Sequence, residues 1–185
     1  MPLVPVPKAR ATINETASGL EIRVPARKNW FLILFLGFWM IGWACGEVFA
    51  VFQLASGKTP FGANVFLLAW LGGWTVGGAF AAYVWAWMAV GFEQILLRPD
   101  ALVVKRNVLG FGNDREYDLA YVSNLRAAPT TFNPFAFSSS LQFWGIGGGT
   151  VAFDYGSKTF RFGAALDEAE AQELVQRLRA RHAFR

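Results

Sequence analysis

Hydrophobic and polar positions divide the chain into three regimes. Residues 1–29 are mixed, and within them "GLEIRVP" alternates Leu20, Ile22 and Val24 with Glu21 and Arg23, the period of a short strand. Two apolar runs follow, about Trp30–Phe52 and about Val65–Val90, and between Asn29 and Phe92 the only charges are Glu47 and Lys58. Each run meets the roughly 20 residues that a helix needs to cross a hydrocarbon core. After Gly91 the period returns to two. Strands are expected at Phe92–Arg98, Ala101–Leu109, Arg115–Leu119, Tyr121–Ala127, Leu141–Trp144, Thr150–Tyr155 and Lys158–Gly163, with "RPDA", "GFGND" and "DYGSK" supplying turn residues. The tail reads as an amphipathic helix. Asp167 and Glu170 fit a capping box, and Ala171, Leu174, Val175 and Leu178 share one apolar face. Arg177, Arg179 and Arg181 suit the negative end of the helix dipole and a solvated face, in preference to a basic lipid-binding one.

Composition turns the two apolar runs into membrane spans. The hydrophobic share of 54%, with 18 Phe and 8 Trp, exceeds that of an ordinary soluble domain. The expected organisation is an N-terminal arm and short strand over 1–29, a two-helix transmembrane hairpin over 30–90, and a separate domain over 91–185. The first run starts too late and runs too long for a cleaved signal. Trp43, two residues before Cys45, makes a poor lipoprotein site, and a single cysteine forms no internal disulfide. The net charge of +4 is informative by position. Arg23, Arg27 and Lys28 precede the first span, Arg98, Lys105 and Arg106 follow the second, and the connecting loop carries Lys58 alone. The positive-inside rule then puts both termini and the final domain in the cytoplasm of a bacterial inner membrane. The basic residues are scattered and accompany no recognition motif, so a nucleic-acid partner is not expected.

Seven short strands followed by one packing helix, over Gly91 to Arg185, resemble the pleckstrin-homology-like (PH-like) domains of bacterial membrane proteins in which transmembrane helices lead into such a domain. The stretch "ILLRPDALVVKRNVLGFGNDREYDLAYVSNL" has their spacing, and "FDYG", Phe153–Gly156, resembles a hairpin of uncharacterised two-span bacterial proteins. The resemblance implies a fold, an antiparallel sheet or barrel with a C-terminal helix, and no activity. It does not extend to phosphoinositide binding: the first hairpin connection contributes Arg98 alone, and the consecutive Lys105 and Arg106 face opposite ways.

The raw material for catalysis is poor. The one histidine, His182, stands near the end of the sequence, Cys45 has no histidine near it, and no carboxylate cluster or metal-spaced set is present. Neither span contains the histidine that usually ligates haem or chlorophyll, so no directly ligated cofactor is expected, although a lipid or pigment could lie against the helices. "GIGGGT", Gly145–Thr150, precedes a strand rather than a helix and lacks the lysine of a Walker-type phosphate loop, so it reads as a hairpin or bulge loop. Upstream, Phe132, Phe135, Phe137, Phe143 and Trp144 crowd a Pro/Ser-rich stretch; they either fill the core or line a contact surface. Glu47, about 26 Å along the first span, reads as an interfacial residue that Lys58 could pair.

Both spans carry the pattern W-x-x-G-W-x-x-G, as "WMIGWACG" (Trp39–Gly46) and "WLGGWTVG" (Trp70–Gly77). Gly42 and Gly46 are four apart, as are Gly73, Gly77 and Ala81, so each set forms a smooth strip on which antiparallel helices could close tightly. The tryptophans Trp39, Trp43, Trp70 and Trp74 fall on a neighbouring face. Trp39 is about 14 Å into the span, away from the headgroups where tryptophan belts sit. An indole N–H wants an acceptor, so this face would meet other protein, a lipid headgroup or a pigment; the alternative is that it flanks the seam and faces acyl chains. The combined expectation is a non-catalytic accessory subunit of a larger inner-membrane assembly, such as a respiratory or photosynthetic complex, with other integral membrane subunits and lipids as partners. The alternative is a self-standing membrane-anchored sensor or assembly factor whose PH-like domain binds a peptide or lipid.

Overall fold

The computed structural model describes residues 9–16, 19–128, 144 and 147–184. Two compact units are present. One is made of residues 28–89, and the other joins 9–27 to 90–184, so the helical unit is inserted between two strands of the sheet unit.

The helical unit is an α-hairpin of α1 (Trp30–Ala55) and α2 (Phe61–Val90). Asn29 caps α1, its side chain accepting from the Leu32 N–H at 3.2 Å. At 26 and 30 residues the helices are about 39 and 45 Å long. Both are long and apolar enough to cross a membrane, with peak hydropathies of 1.8 and 1.6. Their outward faces carry large apolar side chains, among them Phe31, Leu34, Phe38, Phe66 and Val76. An exposed apolar surface of that extent marks a contact with a membrane or with other protein.

The sheet unit contains a five-stranded antiparallel sheet, β1 (Thr12–Thr16), β2 (Gly19–Pro25), β3 (Phe92–Leu97), β4 (Ala101–Val108) and β5 (Phe111–Asp118), in that order. A single turn of 3-10 helix at Leu119–Tyr121 leads to a three-stranded antiparallel sheet, β6 (Val122–Ala127), β7 (Val151–Tyr155) and β8 (Lys158–Phe162). The last element is α3 (Glu168–Arg181). An antiparallel sheet with a C-terminal helix is therefore present, but as five plus three strands that do not close into a barrel.

Period-two alternation builds the core. Leu20, Ile22 and Val24 of β2 and Ile95 and Leu97 of β3 face inward, against Leu102, Val122, Leu125, Val151, Phe153 and Phe162. Tyr117 of the first sheet meets Phe153 of the second edge-on at 4.9 Å. Helix α3 covers the core with Ala171, Leu174, Val175 and Leu178, the face its sequence predicts, and the Asp167–Glu170 capping box forms. Of its arginines, Arg177 pairs with Glu173, Arg179 donates to the Leu125 carbonyl of β6 at 2.6 Å, and Arg181 pairs with Glu15. The alternation also forces one carboxylate inward. Glu93 lies on the same face as Ile95 and Leu97, and a one-residue slip that released it would expose both. It is 2% exposed. Its oxygens accept from Arg106 Nε at 2.8 Å, the Gly163 N–H at 2.7 Å and the Ala164 N–H at 3.2 Å.

Two sequence expectations change, and a third lies largely outside the described residues. The N-terminal arm supplies an edge strand, β1, whose register runs from Thr12 opposite Arg23 to Thr16 opposite Gly19; its polar "TINET" has too little apolar alternation to announce a strand. The turn expected in "GFGND" moves to Leu109–Gly110, because Val108 pairs with Phe111, and β5 starts there rather than at Arg115. The strand expected at Leu141–Trp144 falls largely outside the described residues, and Trp144 itself stands in a turn. Of "GIGGGT", the described end leads straight into β7, with Gly149 so close to the Phe162 backbone that a side chain would collide with it.

On the second sheet, Asp154 accepts from Thr159 at 2.7 Å, Arg126 at 3.0 Å and Asn124 at 2.8 Å. These partners, Thr159 foremost, hold its carboxyl at about 2, against an ordinary 3.8. Because the folded value is depressed, the stabilisation is complete above the ordinary value and is lost as pH falls from about 4 to about 2. Asp154→Asn should therefore flatten the acid limb of the stability curve in that window, measured by thermal melts at a series of pH values. An unchanged limb would remove Asp154 from the account of acid sensitivity.

Candidate functional site on the helical hairpin

The less exposed positions of α1 include Ile33, Leu36, Met40, Trp43, Glu47, Ala50 and Leu54, with Leu32, Gly37 and Gln53 beside them. Those of α2 include Asn64, Leu67, Leu71, Trp74, Gly78, Ala81, Trp85 and Met88; near the end of the helix Val84 and Trp87 are buried as well. A seam that steps by alternating threes and fours, close to a 3.5-residue repeat, can be traced within both sets, from Ile33 to Leu54 and from Asn64 to Met88. This seam contains the second tryptophan of each W-x-x-G-W-x-x-G pattern and bypasses the glycines that sequence spacing favours. A side chain on Gly42, Gly73 or Gly77 would meet nothing within 4 Å, and one on Gly46 would just reach Trp74 at 3.9 Å. The close approach falls on Gly78, where a Cβ would sit inside the Trp43 ring. Ala81 is half-buried on the same stripe. The physical reason is period: glycines four apart drift off a 3.5-residue seam, and Gly77 is turned about 100° from Gly78.

Two indoles cross-link the helices through backbone carbonyls. Trp43 Nε1–H donates to the Trp74 carbonyl at 3.1 Å, and Trp85 Nε1–H donates to the Ile33 carbonyl at 3.0 Å. In hydrocarbon such bonds have no water to compete with them. Glu47 accepts from the Thr75 hydroxyl at 2.5 Å, so the hairpin itself, rather than Lys58, supplies its partner. The second carboxylate oxygen, Oε2, is buried without a hydrogen bond. Trp85, Gly78 and Thr75 were not singled out by sequence; the heptad stripe is the signal that would have found the first two.

The remaining aromatics form a ladder beside the seam. Phe66 and Trp70 stack at 6.2 Å, Trp70 and Trp74 at 5.2 Å, and Trp39 of α1 reaches Trp74 at 6.4 Å. Together with Trp43, Ala69, Gly73, Gly77 and Gly78 the tryptophans line an open cleft of about 370 Å³. Trp39 and Trp70 are 38% and 49% exposed, which leaves broad ring faces for an occupant. Among the described residues, the indole N–H groups of Trp39, Trp70 and Trp74 have no acceptor, and that of Trp74 is buried. The four tryptophans expected on one face are thus brought together, with Trp43 spent on holding the helices and three left with unused donors.

The other aromatic set is not assembled in the same way. Phe132, Phe135, Phe137 and Phe143 lie outside the described residues, and Trp144 is half-buried in the sheet unit. No group of His, Cys, Asp or Glu that could hold a metal ion occurs among the described residues. Compared with known proteins, the chain matches no described family, no curated protein and no solved structure.

Proposed function

We propose that the chain is a non-catalytic accessory subunit of a larger bacterial inner-membrane assembly, anchored by its α-hairpin and docked on neighbouring integral membrane subunits through the tryptophan cleft. The observation that carries this reading is the set of three indole donors without acceptors around one open apolar cleft. Acyl chains fill such a cleft but offer no acceptor, and an unpaired donor in hydrocarbon is costly. A helix of another subunit offers side-chain hydroxyls and amides, and the second lone pair of its carbonyls, at the same depth. A carbonyl-bearing pigment or a lipid headgroup held within such an assembly would suit the same donors.

The PH-like reading of the sheet unit draws support from its antiparallel strands and the C-terminal helix over the core. The basic residues Arg23, Arg27 and Lys28 before the spans and Arg98, Lys105 and Arg106 after them, against Lys58 alone in the connecting loop, support a cytoplasmic location for that unit.

The test is migration on a native gel after mild solubilisation of native membranes. The wild-type chain should run with a complex several times its own mass of 20.4 kDa. Trp39→Ala combined with Trp70→Ala should release it while leaving the hairpin helical by circular dichroism. A wild-type chain that migrates alone rejects the subunit reading.

A further inference from the structure

The β4–β5 hairpin ends in a tip that a water-facing turn would not choose. Leu109 and Gly110 form its two-residue loop, with φ of 53° and 88°, and Val108 pairs with Phe111 to close it. Loops of this kind favour Asn-Gly or Asp-Gly, since a residue with a Cβ pays to enter the left-handed region. Here the first position is Leu109, 69% exposed, and the residue after the loop is Phe111, 83% exposed. Neither side chain recovers its cost by packing. The tip is nonetheless held in shape, because Asn107 Oδ1 accepts the Gly110 N–H at 2.9 Å.

Sheet register says which way this tip points. One cross-strand row of the sheet aligns Pro25, Phe92, Asn107 and Gly112. At that edge β2 runs out toward α1 and β3 arrives from α2, and the Ala26 N–H bonds the Gly91 carbonyl at 2.9 Å. Val90, the last residue of α2, belongs to the sheet unit and is half-exposed. The loop extends two residues past the same row, about 7 Å at the usual strand rise. Basic side chains also gather there. Arg23, Lys105 and Arg106 occupy the two preceding rows, and Arg27 and Lys28 follow β2, against Glu93 and Asp114. An apolar tip with a basic surround is the composition that enters a headgroup layer of anionic lipids.

We infer that the Leu109–Phe111 tip inserts into the headgroup–acyl boundary of the bilayer that the two helices cross, giving the sheet unit a third point of attachment and fixing its orientation on the membrane. This rests on the membrane-spanning reading of the hairpin, and the test separates the two. In a Cys45→Ala background, single cysteines are introduced by Phe111→Cys at the tip, Asp100→Cys in the turn at the opposite end of β4, and Val76→Cys on the outward face of α2. Each full-length chain is labelled with an environment-sensitive fluorophore and reconstituted into phosphatidylcholine–phosphatidylglycerol vesicles containing lipid with a nitroxide high on its acyl chain. The label at 111 should be quenched by the nitroxide at least about threefold more than the label at 100, at the shallow depth expected for an interfacial group. Leu109→Asn, which the turn accepts readily, should weaken that quenching without unfolding the domain. If the label at 76 is quenched and those at 111 and 100 behave alike, the inserted tip is wrong and the membrane hairpin stands. A label at 76 that escapes quenching even by a nitroxide deep on the acyl chain overturns both.

Discussion

Gly78→Ala is expected to destabilise the helical hairpin by on the order of 2–4 kcal/mol, while Gly77→Ala leaves it unchanged or stabilises it by up to about 1 kcal/mol. The new methyl at 78 would occupy the space of the Trp43 ring. Displacing a ring from a packed seam costs about 1–3 kcal/mol, and moving it also breaks the Trp43–Trp74 hydrogen bond, about 1 kcal/mol in a membrane interior. At Gly77 the same methyl enters open space and gains helix propensity. Reversible unfolding in mixed detergent micelles, followed by helical circular dichroism, measures the difference. Trp43→Ala should remove most of the penalty of Gly78→Ala, since the clash and the ring are one interaction. Equal costs at 77 and 78 would return the seam to the glycine strip that sequence spacing favours.

Glu93→Ala should cost about 3 kcal/mol or more in the sheet unit. The carboxylate is the acceptor for two backbone N–H groups, Gly163 and Ala164, where the chain leaves β8 for α3, and for Arg106. Removing it leaves the buried Gly163 amide without a partner, at roughly 1–3 kcal/mol, and weakens the hold on the half-buried Ala164 amide. The Arg106 contribution is smaller than that of a fully buried pair, because the guanidinium side chain is 33% exposed and water screens it. Glu93→Gln keeps an amide oxygen for the two N–H groups and should lose about half as much. Hydrogen exchange on the full chain reads this locally: Gly163 and Ala164 should exchange faster in the alanine variant than in the glutamine one. Unchanged protection there would mean that the junction is held by the packing of α3 alone.

These two sites show what kind of information sequence carried. Glu93 was invisible as a core residue because a charged side chain inside "FEQILL" looks like the solvent side of a half-buried strand. Only pairing with β2 on one side and β4 on the other fixed which face was inward. Gly78 was missed although it stands in the sequence beside Gly77. The four-residue spacing of Gly73, Gly77 and Ala81 drew attention to a strip, whereas the seam follows 3.5-residue steps from Ile33 and Asn64 onward. That stripe was legible in principle, but in spans so apolar on every side, hydrophobicity does not distinguish the seam from the lipid face. Trp39, Trp43, Trp70 and Trp74 line one cleft. Their division into one seam staple and three open donors depended on where the carbonyls of the facing helix lie.

By itself, the sequence determined the features that depend on local chemistry and on one-dimensional period. It set two apolar helices of membrane-crossing length, the alternating strands after Gly91, and the capped, amphipathic α3, because transfer free energy, pleat and capping act over a few residues. Tertiary structure decided the rest. It recruited the polar segment Thr12–Thr16 as an edge strand, split the strands into sheets of five and three, buried Glu93, seated Trp43 on Gly78, and aimed Leu109 and Phe111 past the edge where the chain leaves for its helices. Each of these rests on a partner at least 13 residues away or on a register between strands, and a side chain's own periodicity says nothing about what will stand opposite it.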